Sequence, residues 1–484
     1  MTEILRNLQP IEVFKYFEKL TQIPRGSGNE KEVSDYLVSF AKEHQLEYVQ
    51  DSALNVVLRK KATPGFENSP AVVLQGHMDM VCEKNKDIEH DFAKEPLKLR
   101  IIDDMIYATD TTLGGDNGIA VAMGLAILAS NEYQHPPIEL LVTTSEETGM
   151  DGAMALEPEN IKGRILINID SEEEGTLLVS CAGGRTAKTS IPAVWEAADA
   201  NLVPYMIKIR GLKGGHSGME IDKERGNSNK LMGRILMSIL SKVDFRLSSL
   251  NGGSKHNAIP RETDAVILVR ADDKALVEKK ISECGKMFKT ELRTPDPDIR
   301  VEFEVLSQPK EMLSKESTIN AVNYLYLLIN GVTSMSMDIK GLVESSLNLG
   351  VITTSKDCIE FVSSIRSSVR SLKNELTNRL IVTAELNGGS VVTESDYPEW
   401  AYNPDSKIRT VFEEVYEKMY KKEPQITAIH AGLECGLFAE KFEKLDVISF
   451  GPNLYDVHTP DEHMSISSVQ RTWEFLLEVL KNIK

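Results

Sequence analysis

Apolar positions in the first part of the chain follow two interleaved patterns. Across residues 30–44 they recur at helical spacing, whereas residues 71–75, 138–143 and 165–169 form short continuous apolar runs. Residues 117–129 (NGIAVAMGLAILA) are small and apolar, which predicts a helix packed closely on a sheet. Buried strands separated by helices predict an α/β layer with a mixed, largely parallel sheet. In such sheets ligands gather beyond the carboxyl ends of the strands.

From about Leu177 the strands become longer and alternate in polarity, at residues 205–209, 265–270 and 300–306. Helical segments at 227–240 and 274–292 are interleaved with them, giving the βαββαβ order of a ferredoxin-like unit. The order recurs as helix 318–328, strands 346–353 and 359–367, helix 372–386 and strand 390–393. After Pro404 the α/β character returns, with helix 409–420, strand 447–450 and helix 469–480. The expected organisation is a discontinuous catalytic domain, residues 1–184 and 401–484, interrupted by a lid at 185–400 built from duplicated α+β units.

Composition narrows the function. A chain of 484 residues is comfortable as two domains, and 41% hydrophobic with 26% charged residues supports sizeable cores. The formal charge of −18 argues against nucleic acid or an anionic membrane as partner. Met1-Thr2-Glu3-Ile4 carries neither a basic nor an apolar leader pattern, and no apolar run approaches the roughly 20 residues of a membrane span. Five cysteines, odd in number and never in CxxC, point to a reducing compartment without disulfides. The expectation is a cytoplasmic protein.

Short motifs fall at or near the strand ends: Gly76-His77-Met78-Asp79-Met80, Leu113-Gly114-Gly115-Asp116-Asn117, Ser145-Glu146-Glu147-Thr148-Gly149, Asn168-Ile169-Asp170 and Val457-His458-Thr459-Pro460. Singly, each has an ordinary explanation. His-x-Asp can be a satisfied turn histidine, Asp beside glycines makes turns and helix caps, and paired glutamates suit a solvated loop. Jointly they supply the imidazoles and carboxylates that two zinc ions need, with a carboxylate left over as base. The set divides into His77, Asp116 and Asp170 for one ion and Glu147, Asp116 and His458 for the other, with Asp116 bridging. Asp79 would fix the tautomer of His77. Glu146 would take a proton from the activated water and deliver it to the leaving amine. The run Ser171-Glu172-Glu173-Glu174 reads instead as a solvated charge cluster.

Further candidates lie in or beside the expected lid. Lys213-Gly214-Gly215-His216-Ser217-Gly218 puts an imidazole on a glycine-rich loop, where it either faces solvent or stabilises an oxyanion. Arg366 in Ser364-Ile365-Arg366-Ser367 suits a substrate carboxylate, or a plain surface ion pair. Asn257 could orient a scissile carbonyl, and Glu434 of Gly432-Leu433-Glu434-Cys435-Gly436 could receive a substrate amine.

These motifs, with Ile23-Pro24-Arg25-Gly26-Ser27 at the start and His430-Ala431-Gly432-Leu433-Glu434-Cys435-Gly436 near the end, resemble the aminoacyl-histidine (Xaa-His) dipeptidases over essentially the whole chain. That family belongs to a metallopeptidase superfamily with the aminoacylases, glutamate carboxypeptidase and the tripeptidases. The resemblance implies a di-zinc exopeptidase fold and hydrolysis of unblocked dipeptides, carnosine-like Xaa-His among them. It implies metal ligands at His77, Asp116, Glu147, Asp170 and His458, a base at Glu146 with Asp79 in support, and substrate contacts at His216, Asn257 and Arg366. Cobalt or manganese could replace zinc on the same ligands. The family also suggests a homodimer, and His216 could act within its own chain or across to a partner. Two other readings stay open: an N-acyl amino-acid deacylase with the same centre, and a non-catalytic metal- or peptide-binding protein. Glu146 argues against the last, because binding alone has no need of a base.

Overall fold

The computed structural model describes residues 4–484, so Met1-Thr2-Glu3 of the N-terminal stretch considered above lie outside the described residues. The chain divides into two compact units. One comprises the segment up to Ser180, Tyr402–Ala428 and Leu433–Lys484; the other comprises Cys181–Ala401 with Ile429–Gly432. Among the described residues no helix is long and apolar enough to cross a membrane.

The first unit is built on an eight-stranded mixed sheet. Its strands run, edge to edge, Glu47–Gln50, Val56–Lys60, Ile138–Thr143, Val72–His77, Ile165–Asn168, Asp446–Ser449, Thr176–Cys181 and Gln425–Ile429. Ile138–Thr143, Val72–His77, Ile165–Asn168 and Asp446–Ser449 are mutually parallel. Val72–His77 and Ile138–Thr143 are buried at every position, which is why they read as continuous apolar runs. Helix Gly115–Ala129 packs on Val72–His77 and against helix Ile11–Thr21. Helices Lys407–Tyr420 and Ile466–Asn482 meet through edge-on aromatic contacts, Phe412 to Phe475 at 5.3 Å and Tyr416 to Phe475 at 5.4 Å. A smaller antiparallel sheet of Leu454–Tyr455, His463–Ser465, Met105–Ala108 and Leu99–Ile102 anchors both ends of the loop that carries His458.

The second unit holds a long antiparallel sheet. Its order is Arg300–Val305, Leu202–Arg210, Thr263–Arg270, Arg246–Gly252, Val343–Thr354, Cys358–Ser367, Gly183–Pro192 and Ser390–Tyr397, with Gly331–Met335 pairing Val343–Thr354. Each half is a ferredoxin-like βαββαβ unit in which the first strand lies between the fourth and third and the second strand faces the junction. The halves join where Gly252 pairs with Ile352, reinforced by the Thr354 hydroxyl, which donates to the Leu250 carbonyl and accepts from its N–H, each at 2.8 Å.

Three strands of this sheet were not expected from the pattern, the short Gly331–Met335 among them. In Arg246–Gly252 a bulge between Leu247 and Ser249 puts the buried Leu247 and Leu250 three positions apart, which hides the two-residue period. The first strand of the second half, Gly183–Pro192, precedes the entire first half in the chain and is made largely of small and polar residues. The first ferredoxin-like unit is thus inserted inside the second.

Close packing of helix on sheet yields a stability prediction. A Cβ at Gly124 would lie 2.7 Å from Cδ2 and 3.1 Å from Cγ of Leu140, which is itself buried in the sheet. Gly124→Val should therefore destabilise the protein by about 1–3 kcal/mol through overpacking, read as a lower denaturant midpoint. An unchanged midpoint would mean that the helix is free to move away.

Candidate metal centre

The four parallel strands all point their carboxyl ends toward one place. Val72–His77 ends in His77, 1% exposed, and the chain then turns through Met78 to the buried Asp79. Beyond Ile138–Thr143, Ser145 adopts a left-handed conformation with φ 53°. Its N–H and hydroxyl both donate to Glu30 Oε1, at 3.1 and 3.0 Å. Asp79 then accepts the N–H of Glu146 at 3.1 Å and of Glu147 at 3.3 Å, as well as the Ser27 hydroxyl at 2.8 Å. Buried carboxylates thereby fix the turn that carries the two glutamates. Asp170 follows Ile165–Asn168, and Asp116 stands at the glycine-rich start of helix Gly115–Ala129.

These side chains converge. His77 Nε2 is 3.1 Å from Asp116 Oδ1 and 3.5 Å from Asp170 Oδ1. His458 Nε2 is 3.3 Å from Asp116 Oδ2 and 3.0 Å from Glu147 Oε2. Donor atoms of His77, Asp116 and Asp170 lie within 4.8 Å of one another, as do those of Asp116, Glu147 and His458 and those of His77, Glu146 and Glu147. Asp116 is common to the first two groups and offers one oxygen to each imidazole. Asp79 Oδ1 stands 3.3 Å from His77 Nδ1, an ion-pair distance without hydrogen-bond alignment.

The electrostatics are those of a site short of positive charge. Burial opposes a charged His77, yet Asp170, Asp116 and Asp79 outweigh it and hold the ring well above its ordinary value. Hydrogen bonds to Asp116 and Glu147 push His458 up to about 11. Burial, reinforced by Asp116 and Glu147, raises Asp170 to about 6. Burial also raises Glu146 well above the carboxylate range, with Asp170, Glu434 and Glu147 adding to the effect. Glu147 Oε1 is buried without a hydrogen-bond partner. Mixed imidazole and carboxylate donors, an orphaned carboxylate oxygen and a shared carboxylate fit a pair of divalent cations.

Neighbouring side chains complete the setting; of these Glu434 was a sequence candidate, whereas Glu462 gave no signal in the sequence. Arg25, 2% exposed, donates through Nη1 to the carbonyls of Met78 (3.0 Å) and Asp79 (3.1 Å) and through Nη2 to that of Gly114 (2.5 Å). Glu462, also 2% exposed, accepts backbone N–H groups from the Asp116 loop. Asn117 donates to the Ile169 carbonyl at 2.6 Å and accepts the His77 N–H at 3.3 Å. Glu434 is buried, its Oε2 held by Gln75 (2.6 Å) and Thr143 (2.9 Å), and its Oε1 has no partner among the described residues. Of the acidic run after Asp170, Glu172 and Glu173 are exposed, while Glu174 forms a two-pronged ion pair with Arg471. Glu172 is exposed along its side chain, yet its carboxyl is shielded from water and faces Asp116 and Asp170, which together raise it to about 7.

The other candidates cluster within the second unit. His216 sits in a two-residue strand paired with Ala258, so Asn257 is adjacent, and the Asn257 carbonyl accepts the Ser217 N–H at 2.9 Å. His216 Nδ1 accepts the N–H groups of Gly218 (3.2 Å) and Met219 (3.0 Å), which assigns the proton of the neutral ring to Nε2. Asn348 holds the carbonyls of His256 and Ala258, on either side of Asn257, at 3.2 and 2.9 Å. Arg366 is 7% exposed, donates to the Tyr397 hydroxyl at 3.0 Å, and has no carboxylate within ion-pair distance among the described residues. A Cβ on Gly218 would collide with the backbone carbonyl of His430 and lie 3.1 Å from both Arg366 Nε and His216 Cε1, so a side chain has no room here.

The chain matches the Peptidase family M20/M25/M40 over residues 73–482. It is 38% identical to a cytosol non-specific dipeptidase of Escherichia coli (strain K12) over 479 residues, 99% of each protein. The crystal structure of an aminoacylhistidine dipeptidase from Vibrio alginolyticus superposes with a TM-score of 0.95 at 39% identity, covering 99% of this chain and 98% of that one. An aminopeptidase PepT from Bacillus cereus ATCC 10987 shares the fold, with a TM-score of 0.56 at 14% identity over 98% of this chain and 99% of that one.

The raised groups set a pH dependence for chelated protein. Asp170, raised from 3.8 to about 6, and His458, raised from 6.5 to about 11, bind protons more tightly folded than unfolded. Their stabilising contributions are complete below the unfolded values and fade as pH rises through the folded ones. Asp170 acts between pH 3.8 and about 6 and His458 between pH 6.5 and about 11. Over the neutral to mildly alkaline range the melting temperature in chelator should therefore fall through His458, and its gap to the zinc-loaded protein should widen. A gap independent of pH would refute this account of the centre.

Proposed function

The chain belongs to peptidase family M20/M25/M40, and from that premise we propose that it is a metal-dependent dipeptidase acting on unblocked dipeptides, Xaa-His among them. The observation that carries this reading is the Asp116 carboxylate, shared between His77 with Asp170 on one side and Glu147 with His458 on the other. The relatives named as dipeptidases, alike over almost the whole chain, support it.

We assign two zinc ions, replaceable by cobalt or manganese, to the ligands His77, Asp116, Asp170, Glu147 and His458; bound there they would lower the pKa of water and polarise the scissile carbonyl. Glu146 takes the proton of the attacking water and returns it to the departing amine, so the C–N bond breaks without releasing an amide anion. Asp79 orients His77. His216, neutral with its proton on Nε2, donates to the oxyanion of the tetrahedral intermediate, and Asn257 orients the carbonyl. Arg366, a buried cation with no carboxylate partner among the described residues, receives the C-terminal carboxylate of the substrate. Glu434, with one oxygen unpaired, receives the free ammonium. We place the enzyme in the cytoplasm, in keeping with cysteines that are odd in number and never in CxxC, and infer a homodimer from the family.

Zinc-loaded protein should release histidine from β-alanyl-histidine and from α-linked Xaa-His dipeptides, with chelator abolishing both reactions. Hydrolysis of N-acetylated amino acids in place of dipeptides would favour the deacylase, which needs no free amine. Glu146→Gln should lower kcat by about 10²–10⁴-fold at unchanged metal content; near-normal turnover would remove the base. Arg366→Lys loses the two-pronged geometry and should raise KM by about 10-fold or more, with a smaller change in kcat. Equal KM values would show that the carboxylate binds elsewhere.

A further inference from the structure

We propose that Glu462 is a positioning residue that locks the bridging carboxylate Asp116 to the ligand His458, so that two ligands from distant parts of the chain are set as one piece. The inference rests on the metal-centre reading above.

Helix Gly115–Ala129 does not open as a regular turn: Asp116 and Asn117 have non-helical backbone angles, so the N–H groups of the loop at 113–116 need acceptors from outside the helix. Here the first-turn acid is Asp116, and both of its oxygens are turned to imidazoles, Oδ1 to His77 and Oδ2 to His458. No side chain caps this helix from its own N-cap position. The N–H groups converge instead on the buried Glu462. Its Oε2 accepts from Leu113 (2.7 Å) and Gly114 (3.1 Å), and its Oε1 accepts from Gly115 (2.8 Å) and Asp116 (3.4 Å). Consecutive amides gathered on one anion form a nest, and here the anion belongs to the protein.

Glu462 shares its loop with His458. The loop leaves strand Leu454–Tyr455 and returns at His463, whose ring stacks between Tyr107 (4.8 Å) and Tyr455 (5.0 Å). The Glu462 N–H donates to the Thr459 carbonyl at 3.1 Å, which closes the loop on itself. Any displacement of this loop therefore moves His458 and the anchor of Asp116 together. Two glycines make the approach possible. A Cβ at Gly115 would stand 2.9 Å from Leu454 Cδ2 and 3.4 Å from Glu462 Oε1, and Gly114 holds a left-handed φ of 64°. From the other side Arg25 takes the Gly114 carbonyl and joins it to the Met78 and Asp79 carbonyls beside His77. The same short loop is thus gripped by its N–H groups from Glu462 and by a carbonyl from Arg25.

A carboxylate is required at Glu462 because both oxygens must accept; an amide would turn an N–H₂ toward N–H donors. The test is a cobalt titration of chelated full-length protein, following the visible absorption of bound cobalt and the number of ions retained per chain. Glu462→Gln should weaken cobalt binding by about 10–100-fold, change the visible spectrum and lower kcat with KM nearly unchanged. Glu462→Asp keeps both acceptors on a shorter arm and should fall between wild type and the amide variant. A folded Glu462→Gln protein with wild-type cobalt affinity and spectrum overturns the proposal. Should that variant fail to fold, wild-type affinity and spectrum in Glu462→Asp overturn it equally. Fewer than two cobalt ions on the wild-type chain would instead refute the di-metal reading.

Discussion

Like charges repel, and this fold gathers Asp79, Glu146, Glu147 and Asp170 beyond the ends of adjacent strands and adds Asp116 and Glu434 from the starts of two helices. In water such groups would spread apart. Here the strands that bring the first four are parallel and deeply buried, which holds them in place. The cost of holding the carboxylates together appears in the raised pKa values of Asp170, Glu146 and Glu434, all dominated by burial. A pocket that so disfavours its own ionised groups favours the arrival of cations.

The carboxylates divide the work. Asp116 and Glu147 face imidazoles. Asp79, Glu30 and Glu462 face backbone N–H groups and shape the turns that hold the others. Glu434 is tied into a buried chain in which Asn168 donates to Gln75 and Gln75 donates to Glu434, crossing from strand to strand. Rigidity at a catalytic centre is generally supplied by such supporting contacts, not by the reacting groups themselves.

How much of this was legible in the sequence follows from the same division. Strands buried on both faces betray themselves as apolar runs, and residues with unusual chemistry just beyond them draw attention. The α/β class and the places of His77, Glu146, Glu147 and Asp170 can be reasoned from that, while Asp116 and His458, in loops, join them through the donor count that two metal ions require. Supporting residues leave no such trace. Glu462 is one more acid in an acidic chain, and its role exists only because a loop about 350 residues earlier lacks a cap. Arg25 binds carbonyl groups, which any residue supplies. Gln75 interrupts an apolar run by a single polar position. In the second unit, Arg246–Gly252 was masked by its bulge, and Gly183–Pro192 by its lack of apolar alternation.

The nesting of one ferredoxin-like unit within the other has a consequence for the order of assembly. Strand Gly183–Pro192 is synthesised first but finds its partners, Cys358–Ser367 and Ser390–Tyr397, only after the whole inserted unit has emerged. During that interval it is an unpaired strand with both edges open, the kind of segment that recruits other chains. Its composition answers the hazard: Arg185, Thr186, Lys188, Thr189 and Ser190 make it a poor template for aggregation while it waits. The polarity that conceals this strand from pattern reading is thus the property that lets the nascent chain carry it unpaired.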